Sequence, residues 1–267
     1  MLYLPQNDIY EMDVFDFLNK LENQTIDLAV IDPPYNMKKG NWDNFKSDEE
    51  YFDFTFNWLD ILLSKMKSTG SFYLFNNPFN SAIILNHLNF KGVYFKNWIT
   101  WYKKDGFSAS KKRFVNNQET ILFYTMDKSS YTFNSDLVRL PYLSSGRIEA
   151  AKKCGILKNG KRWYPNENGK LCPDVWEITS QRHLDKKNGK ITKQIHPTPK
   201  PEIMLERIIK ASSNEGDLVL DLFSGTGTTS FIAKKLGRNF IGCENNSLYL
   251  KYAKNRLEQS YKIGDFS

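Results

Sequence analysis

At 267 residues, 40% hydrophobic and 15% aromatic, the chain can bury one large α/β core and still carry an inserted or appended segment. That excludes a disulfide-stapled miniature and a disordered polymer. Its 37 Lys and Arg against 30 Asp and Glu leave a formal charge of +7, which favours a polyanionic partner without demanding one. Cys154, Cys172 and Cys243 form no C-x-x-C pair, and His87, His183 and His196 do not stand at ligand spacings around them. No run approaches ~18 apolar residues, and the first ten residues carry acid and amide side chains where a leader would be basic and then apolar. The expectation is a cytoplasmic chain with free thiols, no metal site and no membrane segment.

The first third alternates short β-rich runs with helical patterns, as a parallel sheet with crossover helices requires. Residues 9–12 are predicted as a short strand, 14–21 as a helix, and 26–31 (IDLAVI) as a strand buried on both faces that ends directly on Asp32. A helix follows over 49–66, then Gly70 and a strand over 71–75, then a helix over 78–88. Two further strands, 95–101 and 119–125, flank a basic loop over 102–114. From 126 to 195 no period of 2 or 3.6 persists, and this stretch is set apart as a separate functional segment between halves 1–125 and 196–267. The α/β pattern resumes where Pro201 opens a helix with Met204, Leu205, Ile208 and Ile209 on one face. A strand over 218–223, a helix over 229–236, a strand over 239–243 and a helix over 247–259 complete the chain.

The stretch from Asp221 through Phe223, Ser224, Gly225, Gly227 and Thr228 puts two glycines at a strand-to-helix turn, where backbone must approach a ligand closely. Glu244, followed by Asn245, ends the next strand at about the 20-residue offset from which a carboxylate reaches ribose hydroxyls. A third glycine for a pyrophosphate turn is missing. Asp221 sets a negative charge beside the loop, which repels phosphate and suits a cation. S-adenosylmethionine, a nucleoside with a sulfonium and an ammonium group, meets both conditions.

Asp32, Pro33, Pro34 and Tyr35 stand where the buried strand 26–31 ends, the edge at which open α/β sheets place their ligands. The lone pair of an exocyclic base amine is delocalised into the ring, so the amine is a poor nucleophile until its N–H groups are held by acceptors. Asp32 offers one acceptor and the Pro33 carbonyl another, on a backbone that prolines make rigid. Tyr35 offers a face on which an extruded base can stack. In isolation the same four residues are more often a proline turn than a site. Their coexistence with the glycine loop and its acidic follower favours a site, to which Asp32 brings both base and cofactor.

With the Asp-Pro-Pro-Tyr motif first and the glycine motif last, the chain resembles the β class of amino-methyltransferases of bacterial restriction-modification systems. The stretch from His196 to Pro201 looks like the His-Pro-Thr-x-Lys-Pro element of that class, in which Lys200 would lie against the cofactor's carboxylate. FVNNQETILFY, GILKNGKRWYPN and SSNEGDLVLDLFSGTGTT look like the MboII-type adenine methyltransferases, whose target is GAAGA. The resemblance implies a Rossmann-like methyltransferase fold, α/β, with a seven-stranded, mostly parallel sheet, circularly permuted and carrying an inserted target-recognition segment. It would set 9–12 beside the Glu244 strand and Asp13 near the cofactor's adenine, although Asp13 is equally placed to cap the helix after it. It also implies a cognate restriction endonuclease as a genetic partner. Dimers are frequent in the class, while an asymmetric target needs one active subunit.

Double-stranded DNA is the expected partner. Lys103, Lys104, Lys111, Lys112 and Arg113 flank the loop between two strands, and Lys161, Arg162 and Arg182 extend the basic surface through 126–195. Adenine N6 is the expected target; cytosine N4 is the alternative, less favoured because Ser is commoner there at the place of Asp32. A non-catalytic DNA-binding protein on the same fold is the alternative of another class.

Overall fold

The structure is a computed structural model that describes residues 4–104, 111–180, 183–187, 190–196 and 199–264. In chain order its elements are β1 (Asp8–Glu11), α1 (Val14–Lys20), β2 (Ile26–Ile31), α2 (Asp48–Lys65), β3 (Met66–Asn76), α3 (Pro78–Leu88), β4 (Tyr94–Tyr102) and β5 (Gln118–Thr125). There follow α4 (Ser145–Cys154), β6 (Ile156–Lys158), β7 (Lys161–Trp163), β8 (Val175–Glu177), β9 (His183–Lys187) and β10 (Lys190–His196). The last are α5 (Glu202–Ser212), β11 (Leu218–Asp221), α6 (Thr228–Lys235), β12 (Asn239–Glu244) and α7 (Ser247–Gly264).

Helix starts follow their local chemistry. Ser47 caps α2 by accepting from Glu50 N at 3.1 Å, and Asp48, Glu49 and Glu50 set three acids against the positive end of the helix dipole. Asn77 caps α3, whose first residue, Pro78, needs no N–H partner. Strand β2 alternates between two cores: Leu28 and Val30 face one side, with α5, α6 and α7, while Ala29 and Ile31 face the other, with α1, α2 and α3. The result is a sheet covered by helices on both faces, which is why its strands read as continuous apolar runs.

The sheet order is β1-β12-β11-β2-β3-β5-β4-β8. The first five run parallel; β5 is antiparallel to both β3 and β4. Seven of these strands make the expected sheet, and the permutation shows at β1, which pairs with β12 in the register Glu11 to Glu244. The eighth strand comes from within 126–195: β8 joins the outer edge parallel to β4, with Trp176 and Ile178 buried in the core. Asn134 also ties this stretch to the end of α5, donating to Lys210 O and Ser213 O at 3.1 Å each. Its remaining strands form two small antiparallel hairpins, β6–β7 and β9–β10. Among the described residues no helix is long and apolar enough to cross a membrane.

Candidate active site

The sheet order jumps in sequence between β11 and β2, which lie side by side and parallel. Helix α2 leaves β2 towards one face and α6 leaves β11 towards the other, so a crevice opens beyond their carboxyl ends. Asp32 follows β2, Asp221 ends β11 and Glu244 ends β12, which delivers three carboxylates to one place. A cavity of about 250 Å³ lies there. Its walls include Asp13, Asp32, Pro33, Pro34, Tyr35, Lys200, Asp221, Phe223, Ser224, Gly225, Thr228, Glu244 and Asn245, which the sequence reading had nominated from five separate stretches.

The cofactor half is built by the loop after β11. Gly225 N donates to Glu244 Oε2 at 2.7 Å and Asn246 N to Glu244 Oε1 at 2.9 Å, so Glu244 fixes the loop at the same time as it lines the cavity. Burial raises its pKa. Burial pushes the Asp221 carboxyl up to about 7, against hydrogen bonds from Thr229 and Phe223 N; the charges of Asp32 and Glu244 add to the rise. A charge balance of +7 for the chain thus conceals an acidic cleft, which the entry of a cation would relieve. Asp13 Oδ1 caps α1 by accepting from Phe15 N at 2.8 Å, and the residue also lines the cavity.

Gly227 is absent from the cavity wall, and its role is steric. It takes φ 72°, and a Cβ there would stand 2.8 Å from the Ala253 Cβ, so glycine lets α7 close on the loop. The same logic holds at Gly242, unnoticed in the sequence, where a Cβ would collide with Ser224 Oγ.

In the catalytic half, Asp32 is held from two sides. Tyr35 Oη donates to its Oδ1 at 2.8 Å and Lys200 Nζ to its Oδ2 at 2.7 Å. Tyr35 is 7% exposed; burial, followed by the charges of Asp32 and Glu119, drives its pKa well above the usual value, so it stays a neutral donor. Asp43, 1% exposed, accepts from Tyr35 N at 2.6 Å, Met37 N at 3.0 Å and Lys39 N at 3.2 Å, and so shapes the turn that follows the motif. Asn80 donates to Tyr35 O at 2.9 Å from the first turn of α3.

Glu119 at the start of β5 is the member that the sequence reading missed. It lies against Tyr35, Lys200 and Lys103. Burial works to lift its carboxyl, but the Lys200 and Lys103 ammonium groups outweigh this and hold it down at about 2. Burial likewise opposes the charge on Lys200, yet Asp32 and Glu119 raise its pKa. The signal in sequence was one acid opening an otherwise apolar strand, which is also what an exposed strand end looks like.

The basic residues fall into groups. Lys103 is turned to Glu119 and its ammonium lies 4.4 Å from the Trp101 ring centre. Lys104 pairs with Glu177 across β4 and β8. Lys111, Lys112, Arg113 and Lys161 are exposed, and Arg162 donates to Cys154 O. Arg182 and the side chain of His196 lie outside the described residues.

Residues 26–255 match the family N6_N4_Mtase, described as DNA methylase. The Type II methyltransferase M1.MboII of Moraxella bovis is 54% identical over 95% of this chain and 97% of its own length. The DNA adenine methyltransferase YhdJ of Escherichia coli K12 is 35% identical over 92% of this chain and 81% of its own. The crystal structure of the M1.HpyAVI–SAM complex superposes with a TM-score of 0.63 at 25% identity, covering 94% of this chain and 98% of that one.

Proposed function

The chain belongs to this DNA methylase family and is a site-specific DNA methyltransferase that uses S-adenosylmethionine, and we propose that it methylates adenine N6 in duplex DNA. The observation that carries the choice is Asp32, a carboxylate at the cavity wall beside the glycine loop, where the amine of an extruded base meets an acceptor.

Asp221, Glu244 and the loop Phe223 to Gly225 would hold the cofactor's cationic and ribose groups, and Lys200 its carboxylate; the acid-rich cleft with one buried ammonium fits that pattern of charge. When bound, S-adenosylmethionine supplies a methyl group already activated by its positive sulfur. The chain's own task is to improve and aim the amine. Asp32 accepts one N–H and the Pro33 carbonyl the other, which localises the nitrogen lone pair. Tyr35, fixed through Asp43 and Asn80, braces the base against its ring. The amine nitrogen gains the methyl group as the methyl–sulfur bond breaks to leave a neutral thioether, its extra proton passes to solvent, and no protein nucleophile takes part.

For the target sequence the reading is a GAAGA-like site, supported by the resemblance to M1.MboII. Residues 126–195 would read it, with Lys111, Lys112, Arg113 and Lys161 on phosphates. A cytoplasmic location, a cognate endonuclease as genetic partner, and a homodimer of which an asymmetric site needs one active subunit complete the reading. DNA from cells expressing the chain, digested to nucleosides, is expected to contain N6-methyladenine. N4-methylcytosine in its place would overturn the choice of base, and single-molecule sequencing of the same DNA gives the site. Asp32→Ala is expected to abolish transfer of labelled methyl; retained transfer would refute the role of Asp32.

A further inference from the structure

We propose that Glu119 is a positioning residue for methyl transfer, the second acceptor to which the Tyr35 hydroxyl and the Lys200 ammonium move when the target amine takes their place on Asp32. This rests on the reading of Asp32 given above.

Both oxygens of Asp32 already receive a donor, Tyr35 Oη on one and Lys200 Nζ on the other. Tyr35 and Lys200 are 7% and 8% exposed, so an incoming amine cannot push them into water, and a buried donor left without an acceptor is costly. Among the described residues, one further carboxylate oxygen lies within reach of both. Glu119 Oε2 stands 3.3 Å from Tyr35 Oη and 3.4 Å from Lys200 Nζ, just beyond their bonds to Asp32. A movement of a few tenths of an ångström exchanges one carboxylate for the other.

Glu119 is well placed to stay still while its neighbours move. Its other oxygen is taken by Lys103, and its backbone lies in β5 opposite Trp101 of β4. The Lys200 ammonium is confined as well, with ring centres of Phe75, Tyr35 and Trp101 at 5.3, 5.5 and 5.9 Å. Within this cage it already lies against both carboxylates. Asp32 can therefore turn from its two protein donors to an arriving base without stranding a buried charge.

The test compares Glu119→Gln, Glu119→Asp, Tyr35→Phe and the Glu119→Gln/Tyr35→Phe double variant with wild type and Asp32→Ala, measuring kcat, cofactor Kd and thermal melting for each. Glu119→Gln keeps the size and removes the charge that competes for Lys200, so kcat is expected to fall at least about tenfold with cofactor Kd within about twofold. Glu119→Asp restores the charge and is expected to recover part of the loss. Tyr35→Phe removes one of the two migrating donors, so the double variant should lose less than the product of the single losses. A Glu119→Gln kcat within about twofold of wild type, or losses that multiply independently, would overturn the proposal. So would cooperative melting lost in both Glu119 variants, which would make Glu119 a structural ion. An active Asp32→Ala would instead sink the underlying reading of Asp32.

Discussion

Asp221 gives the sharpest quantitative expectation. With its pKa at about 7 in the free enzyme, its ionised fraction is roughly one tenth at pH 6 and one half at pH 7. A cationic cofactor selects the ionised form, so the association constant should rise about fivefold from pH 6 to pH 7, below the range where the cofactor's own amino group titrates. Binding should expel about 0.9 proton at pH 6, measurable by calorimetry in buffers of different ionisation enthalpy. Asp221→Asn should bind more weakly at pH 7 and lose the dependence. The same group acts on folding with the opposite consequence. Its folded pKa lies above the ordinary 3.8, so the folded chain keeps a proton that the unfolded chain releases, and stability falls as pH rises from about 4 to about 7. The penalty, on the order of 4 kcal/mol when full, persists above that window. Asp221→Asn should therefore melt at higher temperature than wild type at pH 8, while binding cofactor less well. A cofactor affinity that is flat from pH 6 to pH 7, or a dependence unchanged in Asp221→Asn, would refute the reasoning.

Other substitutions test the frame of the site. Asp43→Ala leaves the buried N–H of Tyr35 and the part-buried N–H groups of Met37 and Lys39 without their acceptor and should cost about 2–4 kcal/mol in denaturant unfolding, with methyl transfer falling in parallel. Gly227→Ala, strained by φ 72° and by contact with Ala253, should cost about 2–3 kcal/mol; a variant that melts like wild type would mean that α7 yields easily. Iodoacetamide should modify exposed Cys154 first and leave the rate of methyl transfer unchanged. Buried Cys243, its thiol pushed up by burial and by the charges of Asp221 and Glu244, should resist. Loss of activity tracking Cys154 alkylation would contradict a transfer without a protein nucleophile.

What could be read from sequence was whatever is local. IDLAVI ending on Asp32, the glycine turn after a second buried strand, and Glu244 at the end of a third are short-range patterns, and parallel pairing brings their ends together. Glu119 and Asp43 escaped because neither belongs to a motif. Glu119 reaches Tyr35 and Lys200 only because β5 runs back antiparallel beside β3, and Asp43 acts through three backbone N–H groups that no sequence displays. Lys103 was read as a loop cation because its neighbours are, while its side chain follows the strand inward. Strand β8 is three residues long, below the length at which alternation carries information, and its place on the sheet edge is settled by the burial of Trp176.

The stretch 126–195 is attached to the core at more than one point, yet part of it leaves and returns through a single gate. Leu140 and Lys170 exchange both backbone hydrogen bonds, at 2.9 and 2.8 Å, and everything between them, α4 and the β6–β7 hairpin included, is an excursion closed at its base. This makes 141–169 a cassette. An exchange of that interval between relatives, cut outside the bridge, would carry an intact lobe and leave β8 and Trp176 in the recipient's sheet. An exchange cut at 126 and 195 would remove an edge strand and unroof the core. Under the proposal that 126–195 reads the target, new sequence preferences have a route of acquisition that does not pass through loss of the fold.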